Sequence, residues 1–220
     1  MEMKMDCKQL SDKEMLTDAG NYEYDTSEMR KYVISTRAHN TVMIDGKEQN
    51  NRKTWRWSQD MLQKKADYEF ESRANSEIAK ASFTGGYGTG AGYTDKVTHT
   101  RTVEFIKGDQ PYFRVIDELA ATDGKEHTYE QMWHLEKCAL DLKKTAFSAD
   151  FGDGVFLDAA FVSDNGELTD MMGLKKPVFQ GWKPIWAEGD NEHRPIHTPV
   201  LKGTFKGKAK IVSEFRPRRR

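Results

Sequence analysis

Val97-Thr-His-Thr-Arg-Thr-Val-Glu-Phe105, a break at Lys107-Gly-Asp-Gln-Pro111, and then Tyr112-Phe-Arg-Val-Ile-Asp-Glu-Leu119 form the stretch that decides the fold. In the first run Val97, Val103 and Phe105 share one face, and Thr98, Thr100, Thr102 and Glu104 share the other. In the second, Phe113, Val115 and Leu119 fall together. Successive side chains of extended backbone point to opposite sides, so a period of two is that of a strand with one face buried and one wet. Gly108, Asp109 and Pro111 suit a turn, and the two runs are predicted to pair as an antiparallel hairpin.

The same pattern recurs outward from this hairpin. Residues 145–151 and 155–162 flank Gly152-Asp153-Gly154, where glycine supplies positive φ without steric cost, and read as a second hairpin. Phe205, Ala209 and Ile211 alternate with Lys206, Lys208 and Lys210, which predicts one strand whose lysine face discourages edge pairing. Residues 14–18 and 41–45 are shorter strand candidates, the latter closed by Asp45-Gly46. Residues 129–142 satisfy a helical spacing as well as an alternating one, and are read as strand because their neighbours are strands. The glycine-rich tract 85–92 precedes no helix start, which argues against a phosphate cradle and for a mobile surface loop. Strands at this spacing predict an all-β chain, a large two-sheet antiparallel β-sandwich forming a single domain over residues 1–220.

Composition limits the functional classes. With 34 Lys and Arg against 35 Asp and Glu, the net charge of -1 provides no overall field toward nucleic acid or a membrane. No run approaches the roughly 20 apolar residues of a membrane span, and Met1-Glu2-Met3-Lys4 has no apolar signal core. Cys7 and Cys138 lack metal-site spacing and read as ordinary thiols, with a disulfide as the lesser option. Residues 30–56, however, hold Arg30, Lys31, Arg37, Lys47, Arg52, Lys53 and Arg56 against Asp45 and Glu48. Interleaved with Tyr24, Tyr32, Trp55 and Trp57, these cations suit a polyanion whose units carry both charge and flat faces. A solvated surface and nucleic acid fit the same ingredients.

The string Leu16-Thr-Asp-Ala-Gly20, then Tyr24, Arg30, Ser35-Thr-Arg-Ala-His39-Asn-Thr-Val42 and Asp45-Gly46, resembles the heparinase II/III-like family of polysaccharide lyases. The Ser-Thr-x-x-His-Asn-Thr core is the specific part. The deciding hairpin and His127-Thr-Tyr-Glu-Gln-Met-Trp-His-Leu135 are similar to strands of that family's C-terminal sandwich, and Gly181-Trp182 with Pro199-Val200-Leu201 echo its end.

The resemblance implies an N-terminal helical toroid as partner domain and an acidic polysaccharide, heparan sulfate-like or alginate-like, cleaved by β-elimination. That reaction removes a proton beside a carboxylate, which requires the carboxylate to be neutralised and a base within hydrogen-bond reach. In the family the toroid supplies the base, typically a tyrosine, and an Asn neutraliser, and the sandwich supplies a histidine. By the same resemblance Tyr24, Arg30, Tyr32, Arg37 and Asn40 would meet substrate. Zinc would be held by Asp18 and His39, expected side by side on neighbouring strands. The family's remaining zinc ligands and its catalytic sandwich histidine lie in a His-x-His motif expected shortly before Asp18, and residues 1–12 contain no histidine. No catalytic residue is therefore assigned, the zinc site is expected to be incomplete, and the chain is read as a fragment lacking its N-terminal half in preference to an intact divergent member, inactive alone in either case, with a non-catalytic carbohydrate-binding or scaffold domain as the alternative function. A periplasmic or secreted home is implied by the resemblance only. His134 is expected to face a neighbouring strand, and His193 and His197 to lie solvated in a proline-containing loop.

Overall fold

The computed structural model describes residues 5–6, 13–49, 67–187 and 190–220. Its strands are, in chain order, β1 (Met5–Asp6) and β2 (Glu14–Leu16), then, after helix α1 (Glu28–Val33), β3 (Val42–Ile44), β4 (Tyr68–Ser72), β5 (Ser76–Phe83), β6 (Val97–Ile106), β7 (Tyr112–Ala121) and β8 (Glu126–Met132). They continue as β9 (Ala139–Leu142), β10 (Ala146–Asp150), β11 (Val155–Val162), β12 (Glu167–Asp170), β13 (Trp182–Ala187), β14 (Asp190–Pro195), β15 (Pro199–Lys206) and β16 (Lys208–Arg219). Among the described residues an eight-stranded sheet runs β4-β5-β6-β7-β16-β11-β10-β9, and a four-stranded sheet runs β12-β15-β8-β3. Every pairing in both is antiparallel. The fold is the all-β, two-sheet sandwich that the alternating pattern predicts.

The deciding hairpin forms as expected, with Val103 opposite Val115 and Phe105 opposite Phe113. So does the pair β10–β11, joined through residues 151–154. Side chains pointing inward from both layers make one core, in which Trp133 meets Phe215 edge-on at 4.6 Å and Phe215 meets Phe161 at 6.0 Å. Val42 and Ile44 from the smaller sheet, and Leu157 and Ile211 from the larger, are fully buried in it. Each such side chain contributes on the order of 2 kcal/mol through the apolar surface it removes from water.

Three expectations need correction. The single strand over Phe205 to Ile211 is two strands: Gly207 takes φ +74, and the chain passes there from β15 in the smaller sheet to β16 in the larger. Both strands are internal, so Lys206, Lys208 and Lys210 are exposed but guard no edge. Alternation continues across the break, which hides it from a period-two reading. Residues 129–142 likewise split into the end of β8 and all of β9, with Leu135 bridging Leu16 between them. The glycine tract is anchored: Tyr87 is fully buried and exchanges backbone hydrogen bonds with Thr94 at 2.8 and 2.9 Å. Gly86 there has φ +79, and a Cβ on it would stand 2.6 Å from the Thr94 carbonyl.

Helix α1 went unpredicted. Its six residues end in Tyr32 and Val33, good strand formers, so composition favours the wrong state. Local capping sets it instead: the Ser27 Oγ accepts the Arg30 amide at 3.1 Å, and Asp25 fixes that hydroxyl at 2.7 Å. Met29, Tyr32 and Val33 are buried against Ala19, Tyr22 and Ala38, with Phe179 and Trp182 packed on the cluster. No helix among the described residues is long and apolar enough to cross a membrane.

Candidate functional site

The segments leaving β2 and α1 converge at one place. Beyond β2, Thr17 donates its amide to the His134 carbonyl at 2.9 Å, which fixes where Asp18 leaves the sheet. Asp18 Oδ1 then accepts the Gly20 amide at 2.8 Å, and its Oδ2 lies 2.8 Å from His39 Nδ1. His39 follows a single 3-10 turn, Thr36–Ala38, and its own amide closes that turn on the Thr36 carbonyl. The two side chains are thus side by side as expected. They stand on irregular backbone at the ends of short elements, and not on neighbouring strands.

Burial alone would raise the Asp18 carboxyl, but the hydrogen bond and charge of His39, with the Gly20 amide, outweigh it and hold the group below its ordinary value. An ionised Asp18 accepts, so His39 donates from Nδ1, which fixes the ring's tautomer and orientation. Asp18 is buried, whereas the His39 side chain is 27% exposed.

Beneath this pair lies a sealed relay. Asn40 donates from Nδ2 to the Thr17 carbonyl at 2.8 Å and accepts the His134 amide on Oδ1 at 2.7 Å, which fixes its amide orientation. The fully buried His134 ring has Nδ1 3.0 Å from that same Oδ1. Its Nε2 lies 3.0 Å from the Arg37 carbonyl, which also receives the Gln180 amide at 2.9 Å, and 3.2 Å from the Tyr32 hydroxyl. Burial pushes His134 down to about 4, so the ring is neutral at ordinary pH and carries a single N–H. Burial also raises the Tyr32 hydroxyl well above its usual value and keeps it a donor. The His134 ring thus faces helix α1 and the loop after it, where a neighbouring strand was expected.

The five expected substrate contacts therefore occupy different environments. Tyr24 is 88% exposed, and the Arg30 guanidinium packs over its ring at 4.3 Å while reaching the Tyr22 carbonyl at 3.3 Å. Tyr32 and Asn40 are buried, with their polar atoms committed to the relay. Arg37 is largely covered and ion-paired with Glu130 at 2.7 Å. Of the remaining cations in the patch, Lys31 pairs with Glu28 and Lys47 lies 3.9 Å from Asp45, while Arg52, Lys53, Arg56, Trp55 and Trp57 fall outside the described residues.

A second polar cluster escaped the sequence reading. Asp117, fully buried on β7, accepts Arg101 Nε and Nη2 at 2.7 and 2.8 Å, lies 2.6 Å from His99 Nε2, and accepts Gln131 Nε2 at 2.7 Å. Arg101 also donates to the Asn40 carbonyl, joining this cluster to the loop that carries His39. Its signal was present: His99 and Arg101 are in phase with Val97 and Val103, and Asp117 with Val115, so charges point into the apolar layer. Arg101 and Asp117 face one another in the hairpin register.

His193 and His197 differ from the expectation. His193 is exposed, but on strand β14, with its ring 5.0 Å from that of Trp182; His197 does lie in the short loop between β14 and β15, where it is partly buried with Nδ1 2.7 Å from Asp170 Oδ2. The β13–β14 hairpin, unpredicted because Pro184 and Pro195 argue against strand, places His193. The Cys138 thiol is unpaired and partly buried, and burial pushes it up to about 12; Cys7 lies outside the described residues.

For zinc, Asp18 and His39 offer a suitable carboxylate and imidazole but only two donors, already hydrogen-bonded to each other. Among the described residues no group of three or more His, Cys, Asp or Glu is placed to hold a metal. A closed structural zinc site takes four ligands, so this donor set does not fit one.

A two-layer antiparallel sandwich with a loop-built aspartate–histidine pair at its margin is the class that fold and site define. The chain belongs to the heparinase II/III-like C-terminal family, whose family model matches residues 9–180. Solved structures agree on the fold. A heparinase III gene product superposes with a TM-score of 0.64 at 14% identity, over 94% of this chain and 29% of its own. A second heparinase III superposes at 0.65 with 15% identity, over 94% of this chain and 28% of its own. The present chain thus spans less than a third of the heparinase III chains it matches. No curated protein matches the sequence.

Proposed function

We propose that this chain is the C-terminal β-sandwich of a heparinase II/III-like polysaccharide lyase acting by β-elimination on uronic-acid polymers, and that it does not cut them unaided. The observation that carries the reading is the family match over residues 9–180, together with the small share of each heparinase III chain that the sandwich represents. β-Elimination needs a group to neutralise the uronate and a base to take the proton. The cations near the candidate site are engaged: Arg37 by Glu130, Arg30 by Tyr24 and backbone. Tyr32 and His134 are sealed from solvent. In this reading Tyr24 and Arg30 touch the polymer, Arg37, Tyr32 and Asn40 shape the loop behind them, and His39 presents its outer ring edge. A metal enters only if donors from outside these residues complete the Asp18–His39 pair. The helical partner domain supplies base and neutraliser.

The test measures the ultraviolet absorbance of the unsaturated uronate on heparan sulfate and alginate, with this chain alone and with the longer protein. Turnover by the chain alone would contradict the reading. The stacked Tyr24–Arg30 pair favours a second reading, binding without cutting. Affinity electrophoresis of Arg30→Ala and Tyr24→Ala on the same polymers separates it: retention lost by both variants, with no turnover in any longer protein, favours that reading.

A further inference from the structure

We propose that His127 is the latch of a pH-responsive clasp that holds the turn following β3 onto the start of β8. At the first inward position of β8, its Nδ1 lies 2.9 Å from Asp45 Oδ2 and its Nε2 lies 3.1 Å from Asp123 Oδ1. A neutral imidazole carries one N–H and would turn a lone pair at one of these carboxylates; only the doubly protonated ring donates to both. Both acceptors are held from elsewhere. Asp45 stands at φ +51 with Oδ1 accepting the Thr128 amide at 2.9 Å, and Asp123 Oδ1 accepts the Lys125 amide at 3.1 Å. The carboxylates are therefore fixed in place around a ring that is almost wholly buried.

The groups facing this ring come from three elements. The turn after β3 brings Asp45, with Lys47 3.9 Å from its carboxylate; the β7–β8 connection brings Asp123, with the charge of Lys125 beside it; and β15 brings the uncharged Phe205, whose ring centre is 5.6 Å away. Burial opposes the charged ring, but the hydrogen bonds and charges of Asp45 and Asp123 prevail and raise His127 above its ordinary 6.5. A raised histidine stabilises fully below its unfolded value and loses that contribution as pH rises through the folded one. Both carboxyls are depressed from 3.8, so their share is lost as pH falls below about 4. The clasp is closed between those limits.

The turn it holds reaches the candidate site. Lys47 donates its amide to the Ile44 carbonyl at 2.8 Å. The Glu48 carboxylate then takes the Thr36 amide, and the Gln49 amide donates to the Thr36 hydroxyl at 2.8 Å. Thr36 opens the 3-10 turn that carries Arg37 and leads to His39. Releasing the clasp loosens the hook on that turn.

Amide hydrogen exchange of the whole chain tests the clasp, with rates corrected for the intrinsic pH dependence. Protection at Lys47, Glu48 and Gln49 is expected to fall about tenfold between pH 6 and pH 9, as for a local opening that loses one tether. It should show no such fall in His127→Gln or Asp123→Asn. Equal pH dependence in wild type and His127→Gln, or pH-independent protection in wild type, would overturn the proposal. Where the variants do not fold, the ring nitrogen resonances of wild-type His127 decide: both nitrogens protonated at pH 6.5 is the expected result, and a single-tautomer neutral ring refutes the latch. None of these readouts depends on lyase activity or polysaccharide binding.

Discussion

Two aspartate–histidine contacts of nearly equal length serve adjoining but unlike regions of this molecule. Asp117 and His99 meet at 2.6 Å in the interior, and Asp18 and His39 at 2.8 Å beside the surface. Asp117 sits mid-strand, where β6 and the small sheet deliver Arg101 and Gln131 as further donors, so both its oxygens are occupied without water. Asp18 is held by its own loop through the Gly20 amide, and the imidazole it orients keeps an edge in solvent. The same pair of side chains thus builds structure where strands surround it and presents chemistry where loops do. What distinguishes them is the backbone around each pair, strands in one case and loops in the other, which no pattern of residue types records.

The comparison can be broken most forcefully from the inside. Arg101→Met leaves the Asp117 charge with His99 and Gln131 alone, and should cost about 3–5 kcal/mol by urea unfolding, as expected of a buried charge that loses its partner. A loss below about 1 kcal/mol would mean that the cluster is not what orders the interior. Asn40→Ala, which strips a carbonyl and an amide of their partners between the two regions, is expected to cost about 1–3 kcal/mol in the same measurement. Acid sharpens the contrast. Arg101 and His99 overcome burial and hold Asp117 far below its ordinary 3.8, so its stabilisation is present above that value and is lost as pH falls below it. The fall in stability from pH 4 to pH 2 should therefore be shallower in Asp117→Asn. The smallest effect belongs at the loop-held pair: His39→Ala takes one partner from the buried Asp18 carboxylate, which keeps the Gly20 amide, and should cost on the order of 1 kcal/mol while reducing retention on acidic polysaccharide. Undiminished retention would remove His39 from the binding surface.

Much of this architecture was legible. The alternation around Val103 and Val115 gave the central hairpin, and Gly152-Asp153-Gly154 gave its neighbour. The proximity of Asp18 and His39 followed from family resemblance, since no local pattern joins residues 21 apart through a loop. What stayed hidden had physical reasons. Helix α1 depends on a Ser27 cap that outweighs the strand preference of Tyr32 and Val33. β15 and β16 look like one strand because a single left-handed glycine does not interrupt the alternation. Tyr32 and Asn40 resemble ligand contacts in sequence, but burial and mutual hydrogen bonding are three-dimensional properties. His127 gave no signal at all, because its two carboxylates arrive from separate turns.

The crossing at Gly207 also fixes when the fold can be finished. β15 lies between β12 and β8, and β16 lies between β7 and β11, so the last two strands fill the middle of both layers. During synthesis, each earlier sheet fragment must wait with two open edges until residues 199–219 emerge. Pairings of such long sequence separation form slowly and leave strand edges exposed to neighbouring chains in the meantime. A ribosome-stalled chain ending at residue 198 should accordingly be captured by chaperones and cleaved by proteases far more readily than one extending through residue 219, even though it already contains most of the apolar residues of the core.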